Sequence, residues 1–117
     1  MSLPKKYRLR YQKDFNLVKK EGRLFSRPKL GILVFQDDRQ KDEPIKFGFL
    51  ISRKVDRRAV YRNRIKRLIS EAVFPFLPEM KKGAKVVFLP RAAVGQETLL
   101  SIKKEIEKLF REAKLLP

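Results

Sequence analysis

Residues 45–89 read IKFGFLISRKVDRRAVYRNRIKRLISEAVFPFLPEMKKGAKVVFL, and the spacing of their apolar residues changes twice along the way. Over 45–52, Ile45, Phe47, Phe49 and Ile51 alternate on one side, the two-residue period of a strand with one buried face. Over 57–74 the period lengthens. Ile65, Leu68, Ile69, Ala72 and Val73 fall at i, i+3, i+4, i+7 and i+8, which predicts a helix closed by Pro75 and Pro78. Residues 84–89 are almost wholly apolar and lie between Gly83 and Pro90, the pattern of a short strand covered on both faces and therefore central in its sheet.

Outward from this stretch, residues 29–36 form a β-branched and aliphatic run, with Leu30, Ile32 and Val34 on one face and Leu33 and Phe35 on the other. An acidic, turn-rich stretch, 37–44, separates it from 45–52, so the two runs are expected to pair as an antiparallel hairpin. Tyr11, Phe15, Leu17 and Val18 recur at helical spacing over 11–21, and Gly22 supplies a stop. Residues 1–10 are basic, contain Pro4 and read as an irregular arm. A last helix, from about 98 to 114, is expected to bury Leu99, Ile102, Ile106, Leu109, Phe110 and Ala113. The order helix, strand, strand, helix, strand, helix describes a small α/β (α+β) sandwich, with room for one further short strand that the sequence does not display. Strands bearing Phe47, Phe49 and Val87 need a cover, and the amphipathic helices are the covers available.

A chain of 117 residues suits one domain, spanning 1–117, and an apolar share of 43% with nine phenylalanines is enough for one core. Charge is the dominant feature: 30 Lys plus Arg against 13 Asp plus Glu give +17, an excess that repels itself unless a polyanion neutralises it. Nucleic acid is the partner this implies. The chain has neither cysteine nor histidine, which removes the usual zinc ligands, the thiol nucleophile and the neutral-pH general base, so no catalytic residue is assigned. No apolar run approaches the roughly 20 residues that span a bilayer, and the N-terminus has no signal-peptide-like stretch, so a cytoplasmic protein is expected.

The excess charge is not spread evenly. Residues 1–28 carry +7, 29–52 carry zero, 53–78 carry +6 and 79–117 carry +4. Its densest part is Arg53, Lys54, Arg57, Arg58, Arg62, Arg64, Lys66 and Arg67, opposed within that window only by Asp56. With Ile65 centred on the buried stripe and about 100° per residue, Asn63 and Arg67 fall opposite the core. Arg64 and Lys66 fall on the flanks, and Arg62 near the stripe's edge. Guanidinium forks and an amide on an outward face can bridge phosphates and read a base or 2′-hydroxyl. A merely soluble basic helix would look similar, but here few acids lie nearby to balance it. Tyr7, Tyr11 and Phe15 sit among Arg8, Arg10 and Lys13, and aromatic faces stack unpaired bases for roughly 1–3 kcal/mol each. For Phe47 and Phe49 a core role competes with that one.

The run Ser52-Arg53-Lys54-Val55, then Ala59-Val60, then Arg62-Asn63-Arg64-Ile65-Lys66-Arg67-Leu68-Ile69 resembles the signature of the bacterial ribonuclease P protein subunit family. The resemblance extends through Tyr7-Arg8-Leu9, Asp14-Phe15 and Gly22 before it and Val86-Val87 after it, covering essentially the whole chain. It implies that Arg53, Lys54, Arg57, Arg58, Arg62, Asn63, Arg64, Lys66 and Arg67 contact RNA, chiefly the large catalytic RNA. It also implies a cleft of Tyr11, Phe15, Lys19, Phe47 and Phe49 for the single-stranded 5′ leader of precursor tRNA. Where relatives often carry a second aromatic one turn after Phe15, this chain has Lys19, which puts one stacking contact in doubt. The resemblance further implies a left-handed crossover between parallel strands, against the usual preference. Its chemistry would use Mg²⁺ held mainly by the partner RNA and substrate, with no dedicated protein site. Two other readings compete: a structural, ribosomal-type RNA-binding protein, and a nuclease using Asp37, Asp38, Asp42 and Glu43, which read more simply as a solvated loop tip.

Overall fold

The computed structural model describes residues 3–51, 58–91 and 97–117. Its elements are α1 (Gln12–Glu21), β1 (Arg23–Ser26), β2 (Leu30–Gln36), β3 (Lys46–Phe49), α2 (Ala59–Val73), β4 (Ala84–Pro90) and α3 (Leu99–Glu112), with short 3-10 turns at Lys5–Tyr7, Asp38–Gln40 and Phe74–Glu79. The four strands form one mixed sheet in the order β1-β2-β4-β3.

The hairpin expected between 29–36 and 45–52 does not form. β4 lies between them, antiparallel to β2 from Leu30↔Pro90 to Gln36↔Ala84 and parallel to β3 from Lys46↔Lys85 to Phe49↔Phe88. A strand that is apolar on both faces is most stable where both faces are covered and both edges are bonded, and β4 fits that place better than either competitor. The antiparallel hairpin is instead β1 with β2, in register from Arg23↔Val34 to Ser26↔Gly31. β1 escapes a reading by period because, of its four residues, only Phe25 is even half-buried.

Each face of the sheet has its own apolar cluster. Leu30, Ile32, Ile45, Phe47, Val86 and Phe88 pack on one face against Ile65, Ile69, Ala72 and Val73 of α2 and Ile102, Ile106, Leu109 and Phe110 of α3. The Phe110 ring lies 6.0–6.2 Å from those of Phe47, Phe76 and Phe88. Leu99, expected in this stripe, is 42% exposed, because α3 joins the cluster only from Ile102 onward. On the other face, Leu9, Val18 and Val87 form a smaller cluster flanked by Phe15, Leu33, Phe35, Leu50 and Leu89. α1 buries only Val18 there, so it is lightly held by apolar contact.

A polar contact supplements it. Lys85, buried in β4, places Nζ 3.3 Å from Asp14 Oδ1 on α1 and 3.4 Å from Asp37 Oδ2 beyond β2. The arm is also less irregular than its composition suggests. Leu3 enters the main core and Leu9 the smaller one, each burial contributing roughly 1.5–3 kcal/mol. The Leu9 N–H donates to the Phe47 carbonyl at 2.8 Å, fastening the arm along the β3 edge. Among the described residues no helix is long and apolar enough to cross a membrane.

Candidate nucleic-acid interface

A groove of about 470 Å³ runs beside β3, between the arm and α1 on one side and α2 on the other. Phe15 of α1 and Phe47, Gly48 and Phe49 of β3 meet there with Asn63, Lys66, Arg67 and Ser70 of α2 and with Leu3, Arg8 and Leu9 of the arm. Gly48 is what allows this approach. A Cβ at that position would sit 2.5 Å from both Cε1 and Cζ of Phe15, so the ring lies directly on the bare backbone of the strand. Phe49 is half-buried and stacks on Phe88 at 5.4 Å between centroids.

The α2 wall follows from the helical wheel. Ile65, Ile69, Ala72 and Val73 are buried, while Asn63, Arg64, Lys66 and Arg67 are exposed and Arg62 is half-buried. Asn63, Lys66 and Arg67 reach the groove, whereas Arg64 is not among its lining residues. Arg58 occupies the N-cap of α2, its guanidinium 3.7 Å from the Tyr61 ring centroid, a cation–π contact that orients the start of the helix. Arg53, Lys54 and Arg57 lie outside the described residues.

The five aromatic and basic residues expected in the cleft do not stay together. Phe15 and Phe49 line the groove with partly accessible rings. Phe47 also borders it but is only 2% exposed, its ring stacked on Phe88 at 5.5 Å. It is a core residue: Phe47 and Phe49 share the face of β3 turned toward α2 and α3, and of the two only Phe49 keeps a partly accessible ring. Tyr11 is 60% exposed and belongs to a neighbouring, smaller pocket. Lys19 is exposed and outside the groove. Sequence reasoning left Leu3, Arg8, Leu9, Gly48 and Ser70 out of the site. A glycine interrupting a strand pattern was the available signal for Gly48. Ser70, inside the buried stripe, satisfies its hydroxyl by donating to the Lys66 carbonyl at 2.7 Å.

Acidic side chains are engaged away from the groove. Arg27 pairs with Glu105, Lys29 with Glu97 at 2.9 Å, and Arg111 with Glu107 at 3.1 Å. Hydrogen bonds from Lys29 and then Ser101 hold the Glu97 carboxyl below its usual range. At Asp37 burial pushes the carboxyl up, but the Arg39 backbone N–H and the Lys85 ammonium together outweigh it, and the net direction is down. Of the four carboxylates weighed as a nuclease centre, Asp37 is thus buried and neutralised, while Asp38, Asp42 and Glu43 are exposed. Among the described residues no three of His, Cys, Asp and Glu come together in a way that could hold a metal ion. None of the ion pairs found among the described residues involves Arg64, Lys66 or Arg67.

Residues 3–114 match the family model described as Ribonuclease P. The chain belongs to the ribonuclease P protein family. It is 35% identical to the ribonuclease P protein component of Rippkaea orientalis, over 99% of this chain and 93% of that one. It is 38% identical to that of Chloroflexus aurantiacus, over 95% and 80%. Its fold is similar to the ribonuclease P protein of Staphylococcus aureus, with a TM-score of 0.82 at 22% identity over 95% of this chain and 98% of that one. For Thermotoga maritima the TM-score is 0.77 at 23% identity, over 90% and 96%. Membership makes the chain a protein subunit of ribonuclease P, with its role in the 5′ processing of tRNA.

Proposed function

We propose that the groove holds the single-stranded 5′ leader of precursor tRNA while the outer face of α2 docks on the catalytic RNA of ribonuclease P. The observation that carries this reading is the pairing of unlike walls. Phe15 from α1 and half-buried Phe49 from β3 offer ring surface, and Asn63, Lys66 and Arg67 of α2 offer amide and cationic donors. An unpaired strand can stack its bases on the first and set its phosphates against the second. A duplex has its base faces already covered, so it gains only the phosphate half of such a site.

In this reading the protein contributes affinity and screening, and the phosphodiester chemistry belongs to the RNA. We assign the magnesium ions of the reaction to the partner RNA and substrate. Cations along α2 would lower the repulsion between substrate and catalytic RNA, and so reduce the magnesium and salt the reaction needs. We place this work in the cytoplasm, where tRNA precursors would meet it.

The test compares Phe15→Ala with wild type in the reconstituted holoenzyme, on precursor tRNA and on mature tRNA. A selective loss for the leader-bearing substrate supports the reading; equal losses for both overturn it. Cleavage at low magnesium, with and without the protein, tests the screening role. A structural RNA-binding protein would bring no gain there, and protein that processed precursor free of any RNA would remove the assignment of chemistry to RNA.

A further inference from the structure

Arg8 lines the groove and also lines a second pocket of about 320 Å³, so the two depressions meet at one side chain. The walls of this second pocket are almost entirely cationic: Lys5, Lys6 and Arg10 from the arm and Lys46 from the start of β3. Its one carboxylate, Asp14, is already 3.3 Å from the Lys85 ammonium. Among the described residues no ion pair involves Lys5, Lys6, Arg10 or Lys46. Lys46 Nζ donates to the Lys6 carbonyl at 3.3 Å, which brings this strand cation against the arm that carries the others. Gathering like charges in a concavity raises its potential and costs self-repulsion, which a bound polyanion would relieve.

The pocket also has a ring. Tyr11, 60% exposed, is the N-cap of α1, and its carbonyl accepts from the N–H of Phe15 at 3.2 Å. That bond closes the first turn of the helix, a rise of roughly 5.4 Å along the axis, between one and two stacked nucleotide steps of about 3.4 Å. A strand moving along α1 from the groove therefore meets Tyr11 next and then the cations behind it.

We propose that this pocket is a phosphate-binding extension of the groove. Resting on the leader reading above, the strand that crosses Phe15 passes Tyr11 and lays its following phosphates among Lys5, Lys6, Arg10 and Lys46.

The double variant Arg10→Ala/Lys46→Ala tests this in the holoenzyme, with precursor tRNAs whose leaders are lengthened one nucleotide at a time. Wild type should gain affinity as the leader reaches the pocket, and the variant should lose that added gain. Its loss should be confined to the longer leaders, where log affinity against log salt becomes shallower by roughly 0.7 for each phosphate contact removed. Equal loss at every leader length, mature tRNA included, overturns the proposal by placing these cations on the catalytic RNA. Unchanged affinity and salt slope also overturn it and leave a solvated basic surface. Phe15→Ala run in parallel separates the two levels. If it spares the leader advantage, the groove reading fails and the extension with it; if it removes the advantage and Arg10→Ala/Lys46→Ala does not, only the extension fails. Circular dichroism confirms that each variant is folded.

Discussion

Gly48→Ala places a single methyl group at the floor of the groove. β3 is extended there, so the backbone tolerates alanine and the whole effect comes from space. The added carbon would lie 2.5 Å from Cε1 and Cζ of Phe15 and 3.2 Å from Cδ2 of Leu9, against an optimum of about 3.5–4.0 Å between carbons. The ring must retreat by about 1 Å or more. If α1 moves bodily, it disturbs buried Val18 and the Asp14–Lys85 pair, and overpacking of this kind costs about 1–3 kcal/mol of stability. If Phe15 swings out instead, the fold survives and the stacking surface is lost. At about 1–3 kcal/mol per base and 1.4 kcal/mol per factor of ten, the preference for leader-bearing over mature tRNA should fall by about 5- to 150-fold. Both quantities are measurable, by a thermal melt of the free protein and by holoenzyme affinity for the two substrates. The double variant Gly48→Ala/Phe15→Ala should recover stability and show no further loss of leader preference, because both changes act through one ring. A Gly48→Ala protein with wild-type melting temperature and full leader preference would refute the contact between ring and strand on which this rests.

Arg67→Ala, exposed on α2, should weaken RNA affinity and flatten its salt dependence while shifting stability by less than about 0.5 kcal/mol; a variant that unfolds contradicts the face assignment. Lys85→Met leaves Asp14 and Asp37 without their shared cation, and breaking a buried pair costs about 3–5 kcal/mol in a urea melt; a loss under about 1 kcal/mol would mean that water already shields the pair. Asp37 has a folded-state pKa below its ordinary 3.8, so its stabilisation is complete above that value and is lost as pH falls through the lower folded value. Asp37→Asn should therefore flatten the fall of melting temperature below about pH 3.8, and an unchanged slope would rule out this source. Phe110→Ala removes the ring common to three aromatic contacts and should cost about 3–5 kcal/mol, read as a lower urea midpoint at unchanged slope.

Local periodicity made α1, α2, α3 and three of the strands legible, because each carries its burial pattern in consecutive residues. Even the assignment of β2 side chains to two faces, Leu30 and Ile32 against Leu33 and Phe35, survives in the two apolar clusters. Pairing was harder, because strand order is a non-local property. The same apolar character that marked β4 as central also required two neighbours for it, and following that through would have separated β2 from β3. β1 left no periodic trace in RLFS, since an edge strand that buries little needs no alternation. At the site, the α2 face was readable from a wheel anchored on Ile65. The groove itself was not, because it depends on Gly48 meeting Phe15 across 33 positions of sequence.

The placement of the acids explains why so basic a chain can present a directed surface at all. The stretch 37–44 has the composition of a solvated loop, yet Asp37 turns inward to hold Lys85, which removes the one cation of β4 from the surface. Glu97 and Glu105 are engaged by Lys29 and Arg27, which lie in the turn between β1 and β2. Each pair is modest in energy at the surface, but together they occupy two of the acids on the α3 side of the molecule with cations from the β1–β2 turn. α2 carries Glu71 as its one acid, and the arm up to Arg10 carries none. Cations are therefore least opposed by neighbouring acids along the arm and the outer face of α2, where a polyanion is attracted before any contact forms. Within such a field the rings of Phe15 and Phe49 need supply only the discrimination between an unpaired strand and a duplex.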